Sequence, residues 1–89
     1  MRFEWDPKKA QANKRKHGVT FEEAATCFSD EHARFYEETE RPERFILIGV
    51  STEHRLIFIV HAELENDRIR LISARLATRP ERRRYEEED

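Results

Sequence analysis

Residues 72–89 read ISARLATRPERRRYEEED: five arginines, one tyrosine and a closing acidic run. Guanidiniums are planar forks that bind phosphate or carboxylate through paired hydrogen bonds. Arg75 ends a strand-like segment and, under regular alternation, shares a face with Ser73. Arg55 opens the preceding strand-like segment and shares its face with His61. In an antiparallel pair the start of one strand lies beside the end of the next. Arg55 and Arg75 are therefore expected to converge, with Ser73 near. Two guanidiniums and a hydroxyl suit a phosphate. The residues fit a second reading equally well, in which both arginines pair with surface carboxylates such as Glu53 or Glu63.

Other side chains carry the same double reading. His61 is a general base or a half-buried filler of a strand face. His17 supports a helix C-terminus, where a cation is favoured, or takes part in proton transfer. Tyr85 packs its ring on the sheet or contributes its hydroxyl to catalysis. Trp5 reads as a core anchor, with substrate binding as the functional alternative. Arg82, Arg83 and Arg84 form a solvated helix face paired to Glu86, Glu87 and Glu88, or track a nucleic-acid backbone together with Arg79. Cys27 reads as a small core residue. His17, His32, His54 and His61 are dispersed, and no C-x-x-C or H-x-x-x-H pair occurs, so no metal and no cofactor is expected. Gly18 and Gly49 are the chain's two glycines, too few for a phosphate-binding loop.

These groups must be positioned by a short chain. Eighty-nine residues make one domain, expected to span 1–89. Such a chain is marginal alone, so packing must be efficient or a partner must help. Charged residues make up 40% and the net charge is −2, so any anion site must be local. A single cysteine excludes an internal disulfide and suits a reducing, cytoplasmic compartment. The N-terminus lacks the apolar core of a signal peptide, and LIFIV is too short to span a bilayer.

The pattern predicts a strand over 1–5 and a polar helix over DPKKAQANKRKHG. In that helix Asp6 is the N-cap, Pro7 the first helical residue, and Gly18 the residue past the end. A second helix follows in VTFEEAATCFSD, opened by a Thr20–Glu23 capping box. Its apolar face is Phe21, Ala24, Ala25 and Phe28. ARFYEE, RFILIGVS, LIFIVHAE and IRLISAR are separated by turn chemistry and predict an antiparallel meander. Regular pleating sets Leu56, Phe58, Val60 and Ala62 against Arg55, Ile57, Ile59 and His61, and groups Ile69, Leu71, Ser73 and Arg75. Thr78, with Glu81, starts a final helix. The class is α+β: two short N-terminal helices and a C-terminal helix on an antiparallel sheet of about four to five strands.

Two stretches carry a resemblance. FEWDPKKAQANKRKHGVTFEEAATCFSD and RLISARLATRPERRRYEE, joined through ERFILIGVS, resemble the BrnT family of toxins from type II toxin–antitoxin modules. The matching positions are Trp5, Asp6, Lys9, Asn13, Lys16, His17, Gly18, Phe21, Ser73, Arg75, Thr78, Glu81, Arg82 and Tyr85. The resemblance covers roughly residues 3 to 87. One departure is the turn TEHRL, where His54 stands in place of an expected glycine. The resemblance implies a RelE-like ribonuclease fold and RNA cleavage that lowers translation. It also implies a cognate antitoxin, through whose complex DNA is bound. The site expected on this basis joins Arg55, Arg75 and Ser73 at the phosphate. His61, His17 or Lys9 takes the proton, and Tyr85 stacks on a base or donates to the leaving oxygen. Trp5, Arg79, Arg82 and Arg83 contact the substrate. The acidic tail Glu86–Asp89 is a candidate contact for a basic antitoxin arm. The competing expectations are a non-catalytic nucleic-acid-binding module and a pure interaction protein.

Overall fold

The computed structural model describes residues 1–87. Its elements are β1 (Arg2–Glu4), α1 (Pro7–His17), α2 (Phe21–Thr26), a single 3-10 turn (Cys27–Ser29), β2 (Arg34–Glu37), β3 (Phe45–Val50), β4 (Leu56–Leu64), β5 (Arg68–Leu76) and α3 (Arg79–Glu86). The five strands form one sheet in the order β1-β5-β4-β3-β2. β2 to β5 are the antiparallel meander read from the sequence, and β1 joins parallel to β5. That parallel pairing closes a connection running through both N-terminal helices and three strands.

Local chemistry sets the helix ends. Asp6 accepts from the Lys8 N–H, Pro7 opens α1, and Gly18 closes it at φ 70 in the left-handed region. Thr20 accepts from the Glu23 N–H, but the Glu23 carboxylate does not reach back, so the expected capping box is half made. At α3 both halves form: Thr78 accepts from the Glu81 N–H, and the Thr78 N–H donates to Glu81. His54 adopts φ 64, the conformation a glycine takes at no steric cost, in the turn where glycine was expected. The β4–β5 turn also uses the left-handed region, at Asn66 and Asp67, types that tolerate it.

The core lies between one sheet face and the first two helices. Val19, Phe21, Ala24 and Cys27 pack there on Leu47, Ile57, Ile59, Ile69, Leu71 and Ala74. α1 contributes little apolar surface. It docks instead through buried Asn13, whose amide donates to the carbonyls of Val19 (3.1 Å) and Ala74 (2.8 Å) while its oxygen accepts the Ala74 N–H (3.1 Å). β1 pairs only with Arg68–Arg70, so β5 is bare further along. Asn13 satisfies that edge as a neighbouring strand would. α3 crosses to the other sheet face. The Tyr85 hydroxyl donates to Asp30 at 2.6 Å, the Arg34 Nε donates to the Tyr85 carbonyl at 3.4 Å, and the Arg84 guanidinium lies 4.3 Å over the Tyr36 ring. Among the described residues no helix is long and apolar enough to cross a membrane.

One irregularity decides where the chemistry sits. Val60 pairs with Ser73, but His61 pairs with Leu71, leaving Ile72 as an extra residue in β5. This β-bulge reverses the alternation. Ile69, Leu71 and Ala74 face the helices; Ser73 and Arg75 face the other way, beside Val60 and Phe58. The regular face Ile69, Leu71, Ser73, Arg75 expected from period two therefore does not form.

Candidate functional site

Arg55 and Arg75 do not converge. Arg55 lies before β4 and turns towards the helices. Its Nε donates to Glu23 Oε2 (2.9 Å), and its Nη2 binds Glu23 Oε1 and the Gly18 carbonyl (3.1 Å). The Glu23 carboxylate, 3% exposed, also accepts from the Ser51 hydroxyl at 2.8 Å. The Arg55 guanidinium holds that carboxyl below the usual range, against a burial effect that raises it. This cluster pins the α1–α2 hinge to the β3–β4 turn. The reading in which Arg55 is a surface ion pair was closer, although its partner is neither Glu53 nor Glu63. Glu23 lies 32 positions away, at the start of α2.

Arg75 sits on the opposite face. Its guanidinium binds both Glu81 oxygens at 2.9 Å, donates to the Leu76 carbonyl at 3.2 Å, and lies 4.1 Å over the Phe58 ring. That guanidinium lowers the Glu81 carboxyl, with burial opposing and the Thr78 N–H assisting. The Tyr85 hydroxyl is likewise committed. Burial, followed by its bond to Asp30, pushes it up to about 12. Burial raises the Asp30 carboxyl too, but hydrogen bonds from Tyr85, Val50 and His32 outweigh it and leave the group lowered.

His61 is fully buried, and neither ring nitrogen has a hydrogen-bond partner. Its ring packs edge-on to Phe28 at 5.0 Å and lies 6.0 Å from that of Phe45. Burial lowers its pKa and favours the neutral form, while Glu63, 3.8 Å away, opposes. The ring is spent on packing and does not reach the surface. Trp5 is half-buried against the core, edge-on to Phe21 at 5.8 Å. Arg79, Arg82 and Arg83 are exposed on α3. Among the described residues Arg82–Glu86 and Arg83–Glu87 form no ion pair; they run basic to acidic, the weaker order. The Arg84–Glu88 pair and the end of the Glu86–Asp89 tail lie outside the described residues.

The structure brings together a different subset. Lys9, Asn13, Lys16 and His17 stand at i, i+4, i+7 and i+8, one stripe of α1. Asn13 docks that stripe on the bare edge of β5. Lys9, Lys16 and His17 then line, with Ile72 and Ser73, an open cavity of about 250 Å³. Ser73 stands where this cavity meets the face that carries Arg75, two residues on. Lys16 and Asn13 were matched as motif positions without a role, and their helical spacing with Lys9 and His17 was the signal that assigns one. The ensemble offers ammonium groups, an imidazole, a hydroxyl and, around the strand edge, a guanidinium. Such a set can hold a phosphodiester and move a proton. Among the described residues no three His, Cys, Asp or Glu side chains gather as a metal site.

Residues 5–81 match the family model described as "Ribonuclease toxin, BrnT, of type II toxin-antitoxin system". No curated protein matched the chain. The fold is similar to the 1.1 Å crystal structure of the Brucella abortus ribonuclease toxin, BrnT. The two share 25% sequence identity and a TM-score of 0.73, over 89% of this chain and 99% of that one. The chain belongs to the BrnT family of ribonuclease toxins from type II toxin–antitoxin systems.

Proposed function

We propose that the chain is an endoribonuclease that cleaves RNA without a metal ion, by attack of a ribose 2′-hydroxyl on the adjacent phosphodiester. The observation that carries this reading is the meeting of Lys9, Lys16 and His17 with Ser73 at the bare edge of β5. His17 takes the 2′-hydroxyl proton. A bond forms from that oxygen to phosphorus, and the bond to the 5′ oxygen breaks. Lys9 and Lys16 stabilise the charge on the phosphate oxygens, and one of them returns a proton to the leaving oxygen. The products are a 2′,3′-cyclic phosphate and a free 5′-hydroxyl.

Ser73 and Arg75 hold the chain of the substrate where it rounds the strand edge. Arg75 has five N–H donors, and its bonds to Glu81 and Leu76 leave some for a phosphate. Arg79, Arg82 and Arg83 track the flanking backbone. Arg55, Tyr85, His61 and Trp5 are framework in this reading.

In the cell the activity lowers translation and halts growth. It belongs to a RelE-like toxin acting as one domain over residues 1–89 in the cytoplasm, with no membrane role. A cognate antitoxin neutralises it, and DNA is contacted only through that complex. The family description supports the toxin and its partner.

The test is cleavage of a defined RNA by the purified chain in excess chelator, with both new ends characterised. Wild type yields 5′-hydroxyl and cyclic phosphate ends. His17→Gln and Lys9→Met each cut the rate by about 100-fold or more at unchanged thermal stability. RNA that is retarded on a gel but never shortened shows a binding module instead.

A further inference from the structure

The two edges of the sheet are treated differently. At one edge β1 is three residues long, and beyond it Asn13 covers the β5 backbone. At the other, β2 carries RFYE with neither proline nor lysine, and Phe35 is 60% exposed. Natural proteins blunt free edges with such residues, with bulges or with covering elements. Among the described residues β2 has no proline, lysine, bulge or covering element on its outer side, which leaves its short length and the charges of Arg34 and Glu37 to guard it.

The register shows which backbone groups are free. The Glu38 N–H donates to the Arg44 carbonyl, and Tyr36 and Arg34 pair with Ile46 and Ile48 in the same phase. Hydrogen-bonded pairs in an antiparallel ladder recur at every second residue. Arg34, Tyr36 and Glu38 therefore direct their backbone groups to β3, while Phe35 and Glu37 direct theirs outward. A groove of about 460 Å³ runs beside them, bounded by Ala33, Arg34, Phe35, Tyr36 and, from the end of α3, Arg84 and Glu87.

The strand is its own complement. An antiparallel copy placed so that Phe35 meets Glu37 uses every outward N–H and C=O of both residues once, in two symmetry-related pairs. The same register sets Tyr36 against Tyr36 on the axis and Arg34 against Glu38 on either side. Paired aromatics favour this alignment. No other residue type has to be imported.

We infer that the outer edge of β2 pairs antiparallel with β2 of a second copy about a two-fold axis at Tyr36, joining two five-stranded sheets into one. The site at β5 lies on the opposite edge and stays open in such a dimer. Four residues a side bury little surface, so the dimer is weak and dissociates on dilution.

Sedimentation equilibrium of the full chain from micromolar to millimolar concentration tests this. The weight-average mass rises towards two copies. Phe35→Pro removes an N–H that β3 does not use, and Phe35→Lys adds a charge to the edge; both keep the mass at one copy, with the circular dichroism spectrum checked for each. Tyr36→Cys crosslinks under mild oxidation, since facing residues outside the hydrogen-bonded pairs have Cα atoms about 4.5 Å apart, within disulfide reach. Glu38→Cys, which faces Arg34 of the second copy, does not. A folded wild-type chain that stays single throughout overturns the proposal. So does a dimer that survives both Phe35 substitutions, or a strand of another protein taking this edge while the chain alone remains single.

Discussion

At the scale of single residues, two arginines with similar sequence settings have opposite surroundings. Arg55 neutralises a buried carboxylate; Arg75 stands at the surface where RNA is proposed to bind. Arg55→Ala leaves Glu23 buried without its cation and costs about 3 kcal/mol, read as a lower denaturant midpoint at unchanged slope. Loss of cleavage that tracks only the unfolded fraction is expected of this variant. The carboxylates give a second prediction. Glu23, Asp30 and Glu81 all have folded pKa values lowered from their ordinary ones. A group lowered in the folded state contributes stability above its unfolded pKa and loses it as pH falls through the folded one. The melting temperature should therefore begin to fall below about pH 6.5, where the buried neutral His61 is protonated on unfolding, and fall more steeply below about pH 5 as these carboxylates join it. Glu81→Gln and Asp30→Asn each make that acid limb shallower. An unchanged limb in both variants contradicts these assignments.

At the scale of elements, the sequence was legible wherever a feature is local. Asp6, Pro7 and Gly18 delimit α1, and Thr78 with Glu81 starts α3, because a cap acts within three residues of itself. The four meander strands were legible from turn spacing. The bulge was not, since period two carries no sign that Ile72 is extra until β4 lies beside β5. That one residue moved Ser73 and Arg75 to the other face and undid their pairing with Arg55. The Glu23–Arg55 bond was hidden for a related reason: the capping-box pattern gave Glu23 a nearer partner than the one it takes. Asn13 combines the legible and the hidden, as its place on the α1 stripe can be counted but its grip on Ala74 spans 61 positions. Asn13→Ala should lower stability by about 2–4 kcal/mol by stranding the backbone groups of Ala74. It should also lower cleavage in the protein that remains folded, because Lys9, Lys16 and His17 lose their seat. Gly49 packs a β-strand directly on the 3-10 turn, and a Cβ there meets the Cys27 carbonyl oxygen at 3.1 Å. Gly49→Ala should cost about 1–3 kcal/mol in a thermal melt without moving the cleavage site.

At the scale of the whole molecule, a net charge of −2 coexists with a cationic band. The proposed RNA track runs from Lys9 and Lys16 on α1 past Arg75 to the exposed Arg79, Arg82 and Arg83 on α3. Binding through such a band is local and strongly salt-dependent. The affinity for a short RNA should fall steeply between low and physiological salt, and Arg82→Ala with Arg83→Ala should flatten that slope. The opposite edge of the sheet, β2, is left for protein contacts.

The measurement that bears most directly on this account is induced expression of the chain in a bacterial host, wild type beside Arg75→Ala. Growth is followed together with the chemistry of total RNA 5′ ends. The account predicts that wild type halts growth as new 5′-hydroxyl ends accumulate, and that the substitution suppresses both while the protein stays folded. A folded Arg75→Ala that remains fully toxic, or a folded wild type that leaves growth and RNA untouched, contradicts it.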